Sequence, residues 1–388
     1  MERADLTVRD TASGRLHGLD HLRALAIILV LFFHYKVYYG LPAWLDGFSA
    51  FGWSGVDLFF VLSGFLIGDK LLREIGRTGR ISFKGFYLNR GLRIFPAYFA
   101  ALALYFSFAE VQEGRALQPL WKFLTFTQNI SIDLYANTFS HAWSLSVEEY
   151  FYLTLPALLY FLFFTRIQNK ALYIVLGLLG LGILLRYAIW VEFVDPLQGT
   201  MRLRAALKHI YYPTYTRLDG LIVGVAIAAI LNYQPRLWRW ITKRGYFFLL
   251  AGLGLLVASY VLFGGNVLSP AFSSLATTLI GFPLLSIAYG CLVVAALSPS
   301  CFLHRFQFGP SAALATLAYA IYLVHKMTNH WLNKNLGNFV TLEKEQLFVV
   351  CLVAAVAGGL LLHLAVEKPF LMLRDRLTRR SSNGNARH

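Results

Sequence analysis

Arg23 and His34 are separated by ten apolar residues, A-L-A-I-I-L-V-L-F-F. At about 100° and 1.5 Å per residue, that spacing is roughly three helical turns, so the two side chains share one helix face about 16 Å apart along the axis. The run is apolar enough to enter a bilayer, where a titratable group is costly and points to function. An imidazole is suited to taking a proton from a hydroxyl. A guanidinium at the opposite end of the run can fork onto a phosphate. A phosphate-rich ligand held at Arg23 could reach His34 with a long flexible arm.

Such a pair needs a membrane-embedded scaffold, and the composition supplies one. The chain has 388 residues, of which 57% are hydrophobic and only 14% charged. Mean hydropathy is +0.56, and a soluble chain would carry about 25% charged residues. Long apolar runs recur from end to end without the short alternating segments of a membrane β-barrel. The expected fold is all-α, a polytopic transmembrane bundle of about ten spans. These fall near 20–40, 51–72, 94–111, 141–165, 171–191, 212–232, 245–263, 271–296, 312–333 and 347–366. The division expected is an N-terminal cytoplasmic segment at 1–19, a transmembrane domain at 20–370 and a basic, disordered tail at 371–388. The first apolar run is read as a retained span, because no small-residue cleavage site follows it. The loop 112–140 is the longest and has room for a re-entrant or interfacial piece.

Ten spans place both termini on one side. That side holds 24 of the 35 Lys and Arg residues and the other holds 8, so the positive-inside rule puts both termini in the cytoplasm of a cell (inner) membrane protein. The formal charge of +15 is thereby explained by topology and an anionic ligand, and no nucleic acid is called for. Cys291, Cys301 and Cys351 have no metal-ligand spacing and read as packing residues, so no metal is expected.

Counting residues along the spans puts His34, Asp57, Glu148, Glu149, Arg217, Asp219 and His325 in one layer of the outer half, with Arg186 nearby. Groups that costly should face one another or a shared cavity. A purely structural polar network is the plain alternative for each residue singly. A second cluster, Arg73, Arg77, Arg80, Lys84, Arg90 and Arg93, lies beside Arg23 on the cytoplasmic side. Arg90 and Arg93, just ahead of I-F-P-A-Y, are its best phosphate ligands.

Several motifs occur together: Arg23-x10-His34, G-V-D-L-F-F-V-L-S-G-F-L-I at 55–67, R-G-L-R-I-F-P-A-Y at 90–98 and W-S-L-S-V-E-E-Y-F-Y at 143–152. Y-T-R-L-D-G at 215–220, Y-A-I-Y-L-V-H at 319–325 and E-K-P at 367–369 complete the set. In this order they resemble the acyltransferase family 3 of multi-span membrane proteins, many of which O-acetylate bacterial surface glycans. One departure is Tyr150, where the family usually has Gln. The resemblance implies an acyl donor in the cytoplasm, acetyl-CoA above all, and a carbohydrate or glycolipid hydroxyl as acceptor on the outer side.

Carried over by motif, Arg23, Arg90 and Arg93, with Arg73 beside them, would meet the CoA phosphates. His34 would be general base or nucleophile, oriented by Glu148 or Asp57. Ser63 and Gly64 suit either the donor arm or close helix packing. Trp143 suits a stacked sugar or an interfacial anchor, and Glu367 and Pro369 would organise the cytoplasmic end. Many members also carry an esterase-like domain outside the membrane; its absence here implies that the membrane domain acts alone or hands its product on. Two readings compete: a transporter or flippase using the polar layer as its path, and a non-catalytic sensor gated by acyl-CoA. The first lacks an apparent inverted repeat, and the cations gather at one end of the His-bearing helix rather than along a path.

Overall fold

A computed structural model describes residues 16–384 apart from 42, 131, 133, 135, 137, 165–169, 267–268 and 337–342. Among the described residues the secondary structure is helical throughout, with no strand. The long helices are α1 His17–Tyr39, α2 Gly55–Thr78, α3 Phe83–Ser107, α4 Trp143–Phe164, α5 Lys170–Ile189 and α6 Asp219–Tyr233. They continue as α7 Gly245–Leu262, α8 Phe282–Leu297, α9 Gly309–Leu336, α10 Lys344–Leu362 and α11 Lys368–Gly384. Each of the ten apolar windows holds one of α1–α10. By length and composition, five helices are able to cross a membrane: His17–Tyr39, Leu172–Val194, Gly245–Leu262, Thr277–Leu297 and Lys344–Thr378. Several of the others carry charged residues on inward faces, which lowers their mean hydropathy.

The side chains are arranged inside out relative to a soluble protein. Leu176, Leu181 and Leu184 of α5 and Leu250, Val257 and Val261 of α7 are exposed, whereas Arg186, Arg217 and Lys326 are buried. Outward apolar faces with inward charges suit hydrocarbon surroundings. The chain is a multi-pass helical membrane protein.

Local chemistry sets the helix ends. Gly79 closes α2 with φ 69°, and the Ser82 hydroxyl caps α3 by accepting from the Gly85 N–H at 3.2 Å. Pro235 forces Gln234 out of helical geometry (φ −124°, ψ 63°). There α6 bends by 111° into the short helix Pro235–Thr242. At the centre α2 packs on α6 through glycine. A Cβ at Gly64 would overlap the Leu221 carbonyl, and one at Gly224 would overlap the Val61 carbonyl. Close backbone approach of this kind is how membrane helices gain packing energy.

Two boundaries differ from the sequence expectation. Helix α3 begins at Phe83, not near residue 94, so Arg90 lies about two turns inside a helix. The expected disordered tail is instead helix α11 through Gly384. It packs on α3 and follows a π-helical turn, His363–Glu367, closed by His363 Nδ1 and Glu367 Oε2 at 2.8 Å. Residues 1–15, most of the expected N-terminal segment, lie outside the described residues.

Candidate active site

Three imidazoles meet at the end of α1 remote from Arg23. The His34 and His325 ring centroids are 4.9 Å apart, those of His141 and His325 4.9 Å, and those of His34 and His141 6.0 Å. Backbone carbonyls assign the tautomers, because a carbonyl only accepts. His325 Nδ1 lies 2.8 Å from the Tyr322 oxygen, so Nδ1 carries the proton and Nε2 the lone pair. His34 Nδ1 is 3.0 Å from the Val30 oxygen and 3.1 Å from His325 Nε2, and it donates to both. That leaves His34 Nε2 with its lone pair, the arrangement a base or nucleophile needs.

His34 lines a small cavity with Tyr38, Tyr39, Glu113, Lys326 and Asn329. Lys326 Nζ is 2.8 Å from Glu113 Oε1 and 3.0 Å from Ser140 Oγ, and 4.8 Å from the centre of the Tyr38 ring. Glu113 Oε1 also accepts from the Phe139 N–H at 3.0 Å. Phe139 has φ 55°, a costly conformation for a bulky residue and one that gathers at functional sites. It precedes Ser140 and His141, which it turns toward the cavity end of α9. The long loop after α3 therefore folds onto the histidine cluster.

The carboxylates expected beside His34 are elsewhere. Asp57 Oδ1 accepts from Arg217 Nη2 at 2.7 Å. Arg186 forks onto Asp219 at 2.7 and 3.1 Å, a bidentate geometry that suits burial. Glu148 Oε1 accepts from Ser63 at 2.9 Å, and Arg90 Nη2 lies 3.7 Å from Oε2. Arg90 Nε is 3.9 Å from Glu149, and its guanidinium stands 3.7 Å from the Tyr152 ring centre. The single polar layer thus resolves into separate pairs. Desolvation is the reason: a buried charge takes the partner its own helix neighbours offer. Among the described residues, no carboxylate hydrogen-bonds to His34.

Other expectations change as well. Trp143 is buried against Phe60, Tyr211, Tyr212 and Arg217, so it is neither an interfacial anchor nor open to a sugar. Gly64 serves helix packing. Arg73 pairs with Asp69 one turn back on α2 and does not line the cationic groove described next. Tyr150 lines a side groove between α3 and α4 with Glu149, Tyr87 and Phe95.

At the other end, Arg23, Arg90, Arg93, Lys70 and Arg374 line an open groove of about 490 Å³ with Leu66, Ile67 and Asn89. A second groove of about 320 Å³ shares Arg23, Leu66, Arg93 and Arg374 and extends to Glu367 and Thr316. Five cations and one acid, Asp375, line this concave surface, which gives it an excess of positive charge. Leu66 and Ile67 follow Ser63 by one turn on α2, so the groove wall leads inward to the Ser63–Glu148 contact.

Sequence reasoning missed five of these residues as members of a site. His141 stands two before Trp143, and Lys326 directly follows His325; adjacency to motifs was the available signal. Arg374 and Lys70 read only as topology, and Glu113 gave no signal, since its partner lies more than 200 residues away.

A family description, "Acyltransferase domain", matches residues 16–364. The chain is 29% identical over 331 residues to the peptidoglycan O-acetyltransferase OatA of Listeria monocytogenes, covering 79% of this chain and 48% of that protein. It is 28% identical over 337 residues to the O-acetyltransferase OatA of Staphylococcus aureus, covering 80% and 50%. The chain spans about half the length of these relatives. No solved structure matches it. With the match running from the start of α1 through α10, across both the histidine cluster and the groove, the chain belongs to the acyltransferase 3 family.

Proposed function

We propose that this protein is an O-acetyltransferase. It takes an acetyl group from acetyl-CoA in the cytoplasm and passes it to a carbohydrate hydroxyl of the cell envelope, with peptidoglycan or another cell-wall polysaccharide as the acceptor class. In this reading ten spans cross the membrane and both termini are cytoplasmic. The phosphates of the donor bind the Arg23, Arg90, Arg93, Lys70 and Arg374 groove. The pantetheine arm runs along Leu66 and Ser63, and the thioester reaches His34. His34 Nε2 takes the acceptor proton as its oxygen attacks the thioester carbon. Ser63, Glu148 and Arg90 line the arm's route rather than orienting the base; His325 does that.

One observation carries the reading. A histidine with a free Nε2 and an arginine in a polycationic groove stand at opposite ends of one helix, α1, about 16 Å apart along its axis. The Asp57–Arg217 and Asp219–Arg186 charges are committed to each other, which favours this reading over a charge-lined transport path. The test uses purified protein in lipid with acetyl-CoA and a soluble glycan fragment. CoA release that depends on the glycan, with an acetyl ester on the sugar, is the expected result. Absence of any ester while the protein binds acetyl-CoA would overturn it.

A further inference from the structure

Lys326 is hard to explain as a structural residue. It is 3% exposed and pairs with a carboxylate whose side chain is 1% exposed. A buried ion pair is rarely a net gain in stability over apolar residues of similar volume. Among the described lining residues of the His34 cavity, Lys326 is the one permanent cation. Glu113 and Ser140 hold its ammonium in place from the loop side.

Acyl transfer needs two functions in one place. One group takes the proton, and a positive group meets the oxygen on which charge develops. We infer that Lys326 is the catalytic cation that stabilises the oxyanion of the acyl-transfer transition state, positioned by Glu113 and Ser140. The inference rests on the proposed acyl transfer. In the step, the acceptor oxygen bonds to the thioester carbon while His34 Nε2 takes its proton. The carbonyl electron pair moves onto oxygen, which becomes an anion facing the Lys326 ammonium. Collapse re-forms the carbonyl and breaks the C–S bond. The thiolate leaves and takes the proton from the His34 imidazolium.

The competing explanation is that Lys326 only clamps the loop to α9. A double substitution separates the two, because Glu113→Gln with Lys326→Met removes the charge without orphaning a buried carboxylate. Its thermal stability, acetyl-CoA affinity, kcat and KM are compared with wild type and with His34→Ala, using acetyl-CoA and a soluble glycan fragment. An oxyanion role predicts a folded protein with donor affinity within about threefold of wild type and kcat lowered about 100- to 1000-fold. A folded double variant with kcat within about fivefold of wild type, while His34→Ala is inactive, overturns the Lys326 assignment and leaves the acyltransferase reading standing. If wild type forms no ester, both fall. Should the double variant not fold, Lys326→Arg decides, because it keeps a cation paired with Glu113. Retention of at least about a tenth of wild-type kcat supports the assignment, and inactivity equal to His34→Ala in a folded protein contradicts it.

Discussion

His325 Nε2 accepts a hydrogen bond from His34 Nδ1 at 3.1 Å across 291 residues of sequence. Its own Nδ1–H is tied to the Tyr322 carbonyl. The relay holds His34 in the tautomer that exposes a lone pair at Nε2. Removing His34 should therefore abolish chemistry: His34→Ala lowers kcat by about 100- to 10,000-fold with acetyl-CoA binding retained. Steady-state kinetics beside a direct CoA-binding assay check this, and turnover near wild type would contradict it. His325→Ala should cost less, because the Val30 carbonyl still holds Nδ1–H, and the loss should appear in kcat rather than in the donor KM.

Arg23, Arg93 and Arg374 line both grooves, far from the histidines along α1. Alanine at any of them should raise the donor KM more than it lowers kcat, because the contact is remote from the thioester. Lysine should restore only part of the affinity, since a point charge does not fork. Isothermal titration with CoA reads the effect directly. Arg374→Ala is the informative case, because that residue lies in the helical tail; unchanged CoA affinity there would remove α11 from the donor site.

Gly64→Ala tests whether the S-G-F-L-I segment serves packing. The added methyl meets the Leu221 carbonyl, so the α2–α6 contact must open. Overpacking of this kind costs about 1–3 kcal/mol. The variant should lose thermal stability while the molecules that remain folded keep the wild-type donor KM. A raised KM with unchanged stability would instead place the donor arm against Gly64.

Asp57→Ala leaves Arg217 as an uncompensated buried cation, which costs about 3–5 kcal/mol. The expected result is poor accumulation of folded protein, followed by detergent-resistance or thermal-shift measurements. A stable but inactive Asp57→Ala would return Asp57 to the catalytic group.

The helical scaffold was legible in the sequence because apolar runs long enough to span a bilayer have few alternative folds. Arg23 and His34 were legible for the same reason: their spacing lies within one helix, and helix geometry is fixed. His325 was read into the right neighbourhood by counting depth. Glu148 and Asp57 do not stand beside His34. Glu148 meets Ser63, six residues beyond Asp57 on α2, and Arg90 of the cation-lined groove, so residue counting set it too far outward. Asp57 faces Arg217 because depth says nothing about azimuth. Glu113 and Lys326 meet only through tertiary folding of the loop, which no local period encodes. Arg374 was hidden because basic residues at a cytoplasmic end have a sufficient topological explanation.

Transfer from one face of the membrane to the other is the central feature of the proposed reaction. Protein reconstituted in sealed vesicles of known orientation is given acetyl-CoA, radiolabelled in the acetyl group, only on the side of the Arg23 groove, with a membrane-impermeant glycan enclosed on the other. The account predicts acetyl ester on the enclosed glycan, lost in His34→Ala. Ester formed only when donor and glycan share one side would contradict it.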